Sequence, residues 1–188
     1  MLTRLNLAAQ QQLVAAAREV VRSAPLYRAT TRSGGSFNYL QTGAGWGWTS
    51  DARGYRYQRE HPVTGHPLPP IPEVLVSLAR AHGLEADALL VNWYTQGSSL
   101  GLHQDRDERD LSAPIVSVSL GDTAEFLLGG LRRSDPVEVL ELTSGTVLVL
   151  AGADRMRFHG VRRVRSGTAP AGLLAGAGRV NLTLRKSQ

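Results

Sequence analysis

The sequence predicts one mainly β domain, a two-sheet antiparallel barrel or sandwich with helices on its N-terminal side, and three observations lead there. From Ile115 onward the apolar residues come in short runs parted by Gly, Asp or Ser-Gly turns, with no helical pattern between them. The helical period shows in two stretches, both ahead of Gly83. A length of 188 residues suits one compact domain with a substantial core, and no repeat or linker interrupts it.

Residues 6–22 are the first predicted helix. Asn6 suits its N-cap, Leu13, Ala16, Ala17 and Val20 form the inward stripe, and Pro25 ends it. Residues 26–57 are rich in Gly, Thr, Ser and aromatics, with Arg28, Arg32, Arg53 and Arg56 interleaved. Short strands are expected around residues 37–41. Lacking a periodic apolar face, the stretch is expected to cover the core and not to build it, and such cover often carries substrate contacts. Residues 61–72 hold five prolines and form a loop. Residues 72–82 follow as a helix, with Pro72 suited to its first turn and Gly83 to its C-cap. Residues 88–94 read as a strand with Leu90, Asn92 and Tyr94 on one face. Residues 115–120, 125–128, 137–142, 146–150 and 155–158 read as further strands.

The chain has no cysteine, which excludes disulfides, thiolate catalysis and cysteine-ligated zinc. No apolar run approaches the roughly 20 residues that span a bilayer and no signal-peptide core is present, so a cytoplasmic monomer without membrane contact is expected. A net charge of +5 and a pI near 10.2 permit a polyanionic partner without demanding one. The distribution says more. Residues 1–60 carry eight Arg against three acids, 61–150 five against twelve, and 151–188 eight Arg or Lys against one. If the basic ends meet around the acidic middle, phosphates are drawn to the rim while a cation is held at the centre.

The acidic middle contains His103-Gln-Asp105. In extended backbone alternate side chains share a face, so the imidazole and the carboxylate project together while Gln104 projects away. That pair is the start of a metal site, and a facial triad needs one more histidine from elsewhere in the fold. His159, in Arg157-Phe-His159-Gly160, is the best candidate. His61 and His66 lie in the proline-rich loop, and His82 ends a predicted helix. Taken alone, a His-x-Asp pair is more often a loop histidine bonded to a nearby acid. Further on, Arg179, Asn181, Thr183 and Arg185 fall on one face of a strand, with Val180, Leu182 and Leu184 on the other. Either the polar face is solvated, or both faces are covered and the two arginines clamp a small diacid by bidentate charge-assisted hydrogen bonds.

With Asn92-x-Tyr94, the run from Ala113 to Gly121 and Gly129-Gly-Leu-Arg-Arg-Ser-Asp-Pro136, this ordered set resembles the AlkB family of iron(II)- and 2-oxoglutarate-dependent nucleic-acid dealkylases, over about residues 36–186. The resemblance implies a double-stranded β-helix, or jelly-roll, catalytic core over about residues 88–186 and a nucleotide-recognition lid over about residues 26–60, within one domain, 1–188. It implies Fe(II) on the catalytic residues His103, Asp105 and His159, and O2 as oxidant. It implies 2-oxoglutarate on Asn92, Tyr94, Arg179, Asn181 and Arg185, with Arg179 at the distal carboxylate and Arg185 nearer the iron. The implied reaction couples decarboxylation of 2-oxoglutarate to hydroxylation of an N-alkyl group, releasing formaldehyde and a repaired base in DNA, or in RNA. Two departures accompany it: Leu150 stands where a tryptophan is expected, and no strand is expected ahead of the first helix.

Trp48, Tyr55 and Tyr57 suit stacking on bases and contact with phosphates, and the resemblance places them on the lid with Arg56 as neighbour. Trp46 and Tyr39 are expected to pack onto the sheet. Asp107 suits a cationic lesion, because 1-methyladenine and 3-methylcytosine carry a positive charge that normal bases lack. Damaged bases also pair poorly, which lowers the cost of extruding them. Arg133 is expected to contact substrate and Arg132 to lie on the surface. The rival readings are the same oxygenase chemistry on RNA alone or on protein, and a non-catalytic jelly-roll that binds metal or nucleic acid.

Overall fold

The computed structural model of the protein describes residues 2–188. Its first half contains β1 (Leu2–Arg4), α1 (Leu7–Ser23), β2 (Leu40–Gly45), β3 (Gly47–Asp51), β4 (Gly54–Gln58) and α2 (Glu73–Ala81). Strands β5 (Ala88–Tyr94), β6 (Leu100–His103), β7 (Ile115–Gly121) and β8 (Thr123–Leu128) follow. The chain closes with β9 (Glu138–Leu142), β10 (Thr146–Leu150), β11 (His159–Arg165) and β12 (Arg179–Arg185). The major sheet has the order β1-β10-β7-β12-β5-β2, the minor sheet β6-β11-β8-β9, and β3 and β4 form a separate hairpin. All of these pairings are antiparallel, which gives the expected jelly-roll.

Alternation along the strands separates the two cores. Val180, Leu182 and Leu184 of β12 join Leu89 and Val91 of β5 under Leu13, Val14, Ala17 and Val20 of α1 and Leu75 and Ala79 of α2. Each such Leu or Val side chain contributes about 1.5–3 kcal/mol on burial. The opposite face looks between the sheets, where Tyr39, Tyr94, Ile115, Phe126, Leu148 and Leu150 form the second core. All seven residues of β12 are buried, so Arg179, Asn181, Thr183 and Arg185 are enclosed between the sheets and not solvated. The Asn6 side chain caps α1 by accepting from the Ala9 amide at 2.9 Å, as the sequence predicts; α2 begins one residue after Pro72, its N-cap, and ends on His82 as C-cap, with Gly83 one residue further on at a φ of 74°. No helix among the described residues is long and apolar enough to cross a membrane.

Three expectations are corrected. A strand does precede the first helix: β1 pairs with β10, and its three exposed residues leave no apolar period to read. Part of the presumed cover is structural, because β2 extends the major sheet beside β5. Its buried side chains are Gln41, Thr42 and the small Ala44, and the two polar ones donate inward (Gln41 Nε2 to the Tyr27 hydroxyl, 2.9 Å; Thr42 Oγ1 to the Ala24 carbonyl, 2.8 Å), so apolar periodicity was the wrong signal. Residues 155–158 are not a strand. A 3-10 turn, Gly152–Asp154, leads into a connection that turns Arg155 inward, where its 2% exposure marks a polar anchor.

Candidate active site

His103 ends β6 and His159 opens β11, and the two are register partners across the ladder. Gly160 makes that approach possible, since a Cβ there would lie 2.5 Å from the Leu100 carbonyl oxygen. Asp105 follows β6 by two residues. The two Nε2 atoms stand 3.6 Å from separate carboxylate oxygens of Asp105, and one ligand atom from each of the three residues lies within 4.8 Å of the others. Each Nδ1 faces a backbone carbonyl, Gly101 at 2.9 Å for His103 and Arg157 at 3.0 Å for His159. A carbonyl only accepts, so the proton sits on Nδ1 and both Nε2 lone pairs turn toward the carboxylate.

Burial and the neighbouring His159 push His103 down to about 4, so it is neutral at physiological pH. Burial alone would raise the Asp105 carboxyl, but the Arg185 guanidinium and the two imidazoles outweigh it and hold the group well below the usual carboxylate range. Two imidazoles and a carboxylate converging on one point fit a divalent cation, and the 2-His-1-carboxylate set is that of non-haem iron(II).

A cavity of about 570 Å³ opens over the triad. At its deep end Arg179, 1% exposed, donates through Nη2 to the Ser119 hydroxyl at 3.0 Å and lies 5.2 Å from the Tyr94 ring centre. Its Nε and Nη1 have no partner among the described residues. A buried guanidinium without a carboxylate is costly unless an anion completes it, so the deep end fits the distal carboxylate of a dicarboxylate. The Asn92 amide nitrogen donates to the Tyr94 hydroxyl at 3.3 Å, which leaves the Asn92 carbonyl oxygen without a partner among the described residues, and both residues line the same cavity. Asn181 lines the cavity too, but its amide is taken up by Ser117 at 2.8 Å and Val118 at 3.1 Å, and Thr183 donates to its carbonyl.

Arg185 lies beside the metal residues, where the resemblance puts it, but the expectation that both arginines clamp one small diacid is corrected. Arg185 Nη2 donates to Asp105 Oδ2 at 2.8 Å, and its Nε lies 3.3 Å from Glu108 Oε1. Its charge is therefore matched by protein carboxylates, whereas Arg179 has no carboxylate partner among the described residues and keeps two nitrogens without a hydrogen bond.

At the open end Trp48 and Tyr55 stack with ring centres 5.6 Å apart and planes 17° from parallel. Trp48 Nε1 donates to Asp107 Oδ2 at 2.6 Å, and the Arg133 guanidinium sits 5.1 Å over the Phe158 ring. All five line the cavity. Arg56 and Tyr57 do not. Strand alternation puts Arg56 on the other face of β4, where Asp51 binds it at 2.7 and 2.9 Å. Tyr57 lies deeper than Tyr55, with its hydroxyl donating to Glu108 Oε1 at 2.6 Å. Tyr39 packs inside, 4.9 Å from Tyr94, as expected, and Leu150 contributes to the apolar wall.

Sequence reasoning missed Glu108 and Arg155. They pair at 3.2 Å with side-chain exposures of 2% and 3%, directly beneath Asp105. A signal was present: residues 105–110 hold four acids, more than one metal ion and one base require.

The fold and this site define a 2-oxo-acid-dependent, non-haem iron oxygenase. Residues 1–185 match the model of the 2OG-Fe(II) oxygenase superfamily. The chain is 45% identical over 188 residues to the alpha-ketoglutarate-dependent dioxygenase AlkB homolog of Caulobacter vibrioides, covering 98% of this chain and 84% of that protein. It is 48% identical over 108 residues to the DNA N(6)-methyladenine demethylase ALKBH1C of Arabidopsis thaliana, covering 53% of this chain and 24% of that one. Among solved structures, that of OsALKBH1 superposes with a TM-score of 0.83 at 33% identity, covering 97% of this chain and 93% of that chain. The chain belongs to the AlkB family of iron(II)- and 2-oxoglutarate-dependent dioxygenases.

Proposed function

We propose that the protein removes N-alkyl groups oxidatively from nucleobases in DNA, with 1-methyladenine and 3-methylcytosine as substrates and formaldehyde as the released product. The observation that carries this reading is the open end of the cavity. A stacked Trp48–Tyr55 pair with a carboxylate on its edge stands over the His103–Asp105–His159 triad, which is what a flipped, cationic base needs. The name of the Arabidopsis relative, a DNA demethylase, supports a nucleic-acid substrate.

In this reading Nε2 of His103, Nε2 of His159 and one Asp105 oxygen hold iron(II), which with 2-oxoglutarate and dioxygen supplies the oxidation. Arg179 takes the distal carboxylate of 2-oxoglutarate, with Ser119 fixing the plane of its guanidinium. Asn92 and Tyr94 offer the remaining polar contacts, Asn181 sets their surroundings, and Arg185 orients Asp105. Trp48 and Tyr55, on the lid, hold the base. The Trp48 indole occupies one oxygen of Asp107 and leaves the other to face the positive charge of the lesion. Arg133 is placed to meet a phosphate at the rim. Leu90, Phe126, Leu148 and Leu150 keep water from the reacting carbon.

The test is mass spectrometry of a 1-methyladenine oligonucleotide incubated with the protein, iron(II), 2-oxoglutarate and oxygen. Loss of the methyl mass with matching succinate supports the reading. Succinate formation that no methylated oligonucleotide stimulates would refute it.

A further inference from the structure

We infer that Glu108 is a positioning residue for the metal and cosubstrate end of the site, and that Tyr57 makes the β3–β4 hairpin part of that positioning, an inference that rests on the site reading above. Glu108 is a buried carboxylate that reaches neither the cavity nor solvent. One oxygen accepts from Arg155 Nη2 at 3.2 Å; the other accepts from the Tyr57 hydroxyl at 2.6 Å and lies 3.3 Å from Arg185 Nε. Arg155 spends its other donors on backbone, Nε on the Ala113 carbonyl at 2.9 Å and Nη1 on the Asp105 carbonyl at 3.0 Å. The side chain and the main chain of Asp105 are therefore held by two arginines that share one acid.

Charge and direction explain what the sharing does. Asp105 and Glu108 balance Arg155 and Arg185, so the guanidinium nearest the triad carries no surplus charge, and Arg179 is left as a fully buried cation of the cavity with no carboxylate beside it among the described residues. With carboxylates on two of its edges, the Arg185 plane is set. Its Nη2 then caps Asp105 Oδ2 at 2.8 Å and leaves Oδ1 as the uncapped oxygen. Without the Glu108 charge, Arg185 has one acid left to satisfy it and is drawn across both oxygens of Asp105, in competition with the metal.

Tyr57 extends this to the lid. It sits on β4, cross-strand from Trp48 on β3, and the same hairpin donates to Asp107 through Trp48 and to Glu108 through Tyr57. A nucleic acid that displaces this hairpin acts on Glu108, and through it on Arg185 and Asp105. Linkage makes the effect reciprocal, so cosubstrate binding also biases the lid.

The experiment is calorimetric titration of 2-oxoglutarate into the manganese(II)-loaded protein, with and without a methylated single-stranded oligonucleotide, for wild type, Tyr57→Phe, Glu108→Gln and the double variant. Glu108→Gln keeps the shape but leaves one acceptor oxygen and turns an amide NH2 toward one of the two buried arginines, so a lowered melting temperature is expected for it and one near wild type for Tyr57→Phe, and all titrations are run at a temperature where circular dichroism shows every variant folded. Manganese(II) affinity is expected to fall about tenfold in Glu108→Gln. The 2-oxoglutarate affinity is expected to fall about fivefold or more in each variant, with no further loss in the double variant. The oligonucleotide is expected to shift the 2-oxoglutarate affinity of wild type and not of Tyr57→Phe. Affinities unchanged in both single variants, additive losses, or the same oligonucleotide response in wild type and Tyr57→Phe would overturn the inference alone. A wild-type protein that binds no 2-oxoglutarate would overturn the site reading with it.

Discussion

Replacing Arg179 by methionine tests the deep end of the cavity with effects of opposite sign. Arg179 is fully enclosed, keeps one bond to Ser119 and has two donor nitrogens without a partner. If those two donors meet the distal carboxylate of 2-oxoglutarate, Arg179→Met removes two charge-assisted hydrogen bonds at about 1.5–3 kcal/mol each. The loss is about 3–6 kcal/mol, or roughly 10²- to 10⁴-fold in 2-oxoglutarate affinity at 1.4 kcal/mol per tenfold. The protein without ligand responds differently. Burial already pulls the Arg179 pKa down, Tyr94 opposing, because the charge is dehydrated there without a neutralising acid. Methionine fills similar length without that cost, so the melting temperature is expected to hold or rise. The assay pairs calorimetry of 2-oxoglutarate binding to the manganese(II)-loaded variant with thermal melting of the unloaded one. An affinity within threefold of wild type, or an unloaded variant destabilised by several kcal/mol, would refute the assignment of the free donors to the cosubstrate.

Further perturbations separate the metal, the base and the core. Asp107→Asn keeps an acceptor for Trp48 but removes the charge, and is expected to cost about 1–2 kcal/mol, or 5- to 30-fold, in kcat/KM on 1-methyladenine; equal turnover of both proteins would argue against a charge-reading role. His159→Ala is expected to abolish stoichiometric iron(II) binding, measured by equilibrium dialysis, while leaving the circular-dichroism spectrum unchanged. Leu182→Ala, at the centre of the sheet under α1 and α2, is expected to lower stability by about 2–5 kcal/mol in urea melts without moving the cosubstrate affinity. The metal-free protein is expected to lose stability as pH falls from 6.5 toward 4, because His103 is held near 4 when folded and takes up a proton near 6.5 when unfolded. In that window the unfolded state binds more protons, so stability drops with pH, and a His103→Gln protein should show a shallower slope; an identical slope would contradict the buried, neutral assignment.

Much of this site is legible in the sequence, for reasons that differ residue by residue. His103 and Asp105 are two apart beside a strand, and Arg179 to Arg185 alternate on one, so chain geometry alone decides which side chains share a face. The core face of β12 is equally plain, because Val180, Leu182 and Leu184 have no other role than burial. What alternation cannot tell is which polar partner a buried group will find. It places Arg179 and Arg185 together, yet the first is left with free donors and the second is consumed by Asp105 and Glu108, a difference set by residues some 80 positions away in the chain. Tyr55 and Tyr57 likewise share a face, but depth against the loop at 105–108 separates a ring in the cavity from a hydroxyl on a buried acid. Strand β2 escaped because its interior is polar and glycine-rich, and Arg155 escaped because an inward arginine in a short connection looks like surface.

The most direct test is a crystal structure of the protein grown without oxygen in the presence of manganese(II) and 2-oxoglutarate. Convergence of the site requires the metal on Nε2 of His103, Nε2 of His159 and a single Asp105 oxygen, with the far carboxylate of 2-oxoglutarate bonded to Nε and Nη1 of Arg179. A metal bound elsewhere, or a cosubstrate whose far carboxylate lies on Arg185 while Arg179 keeps its donors free, would contradict it.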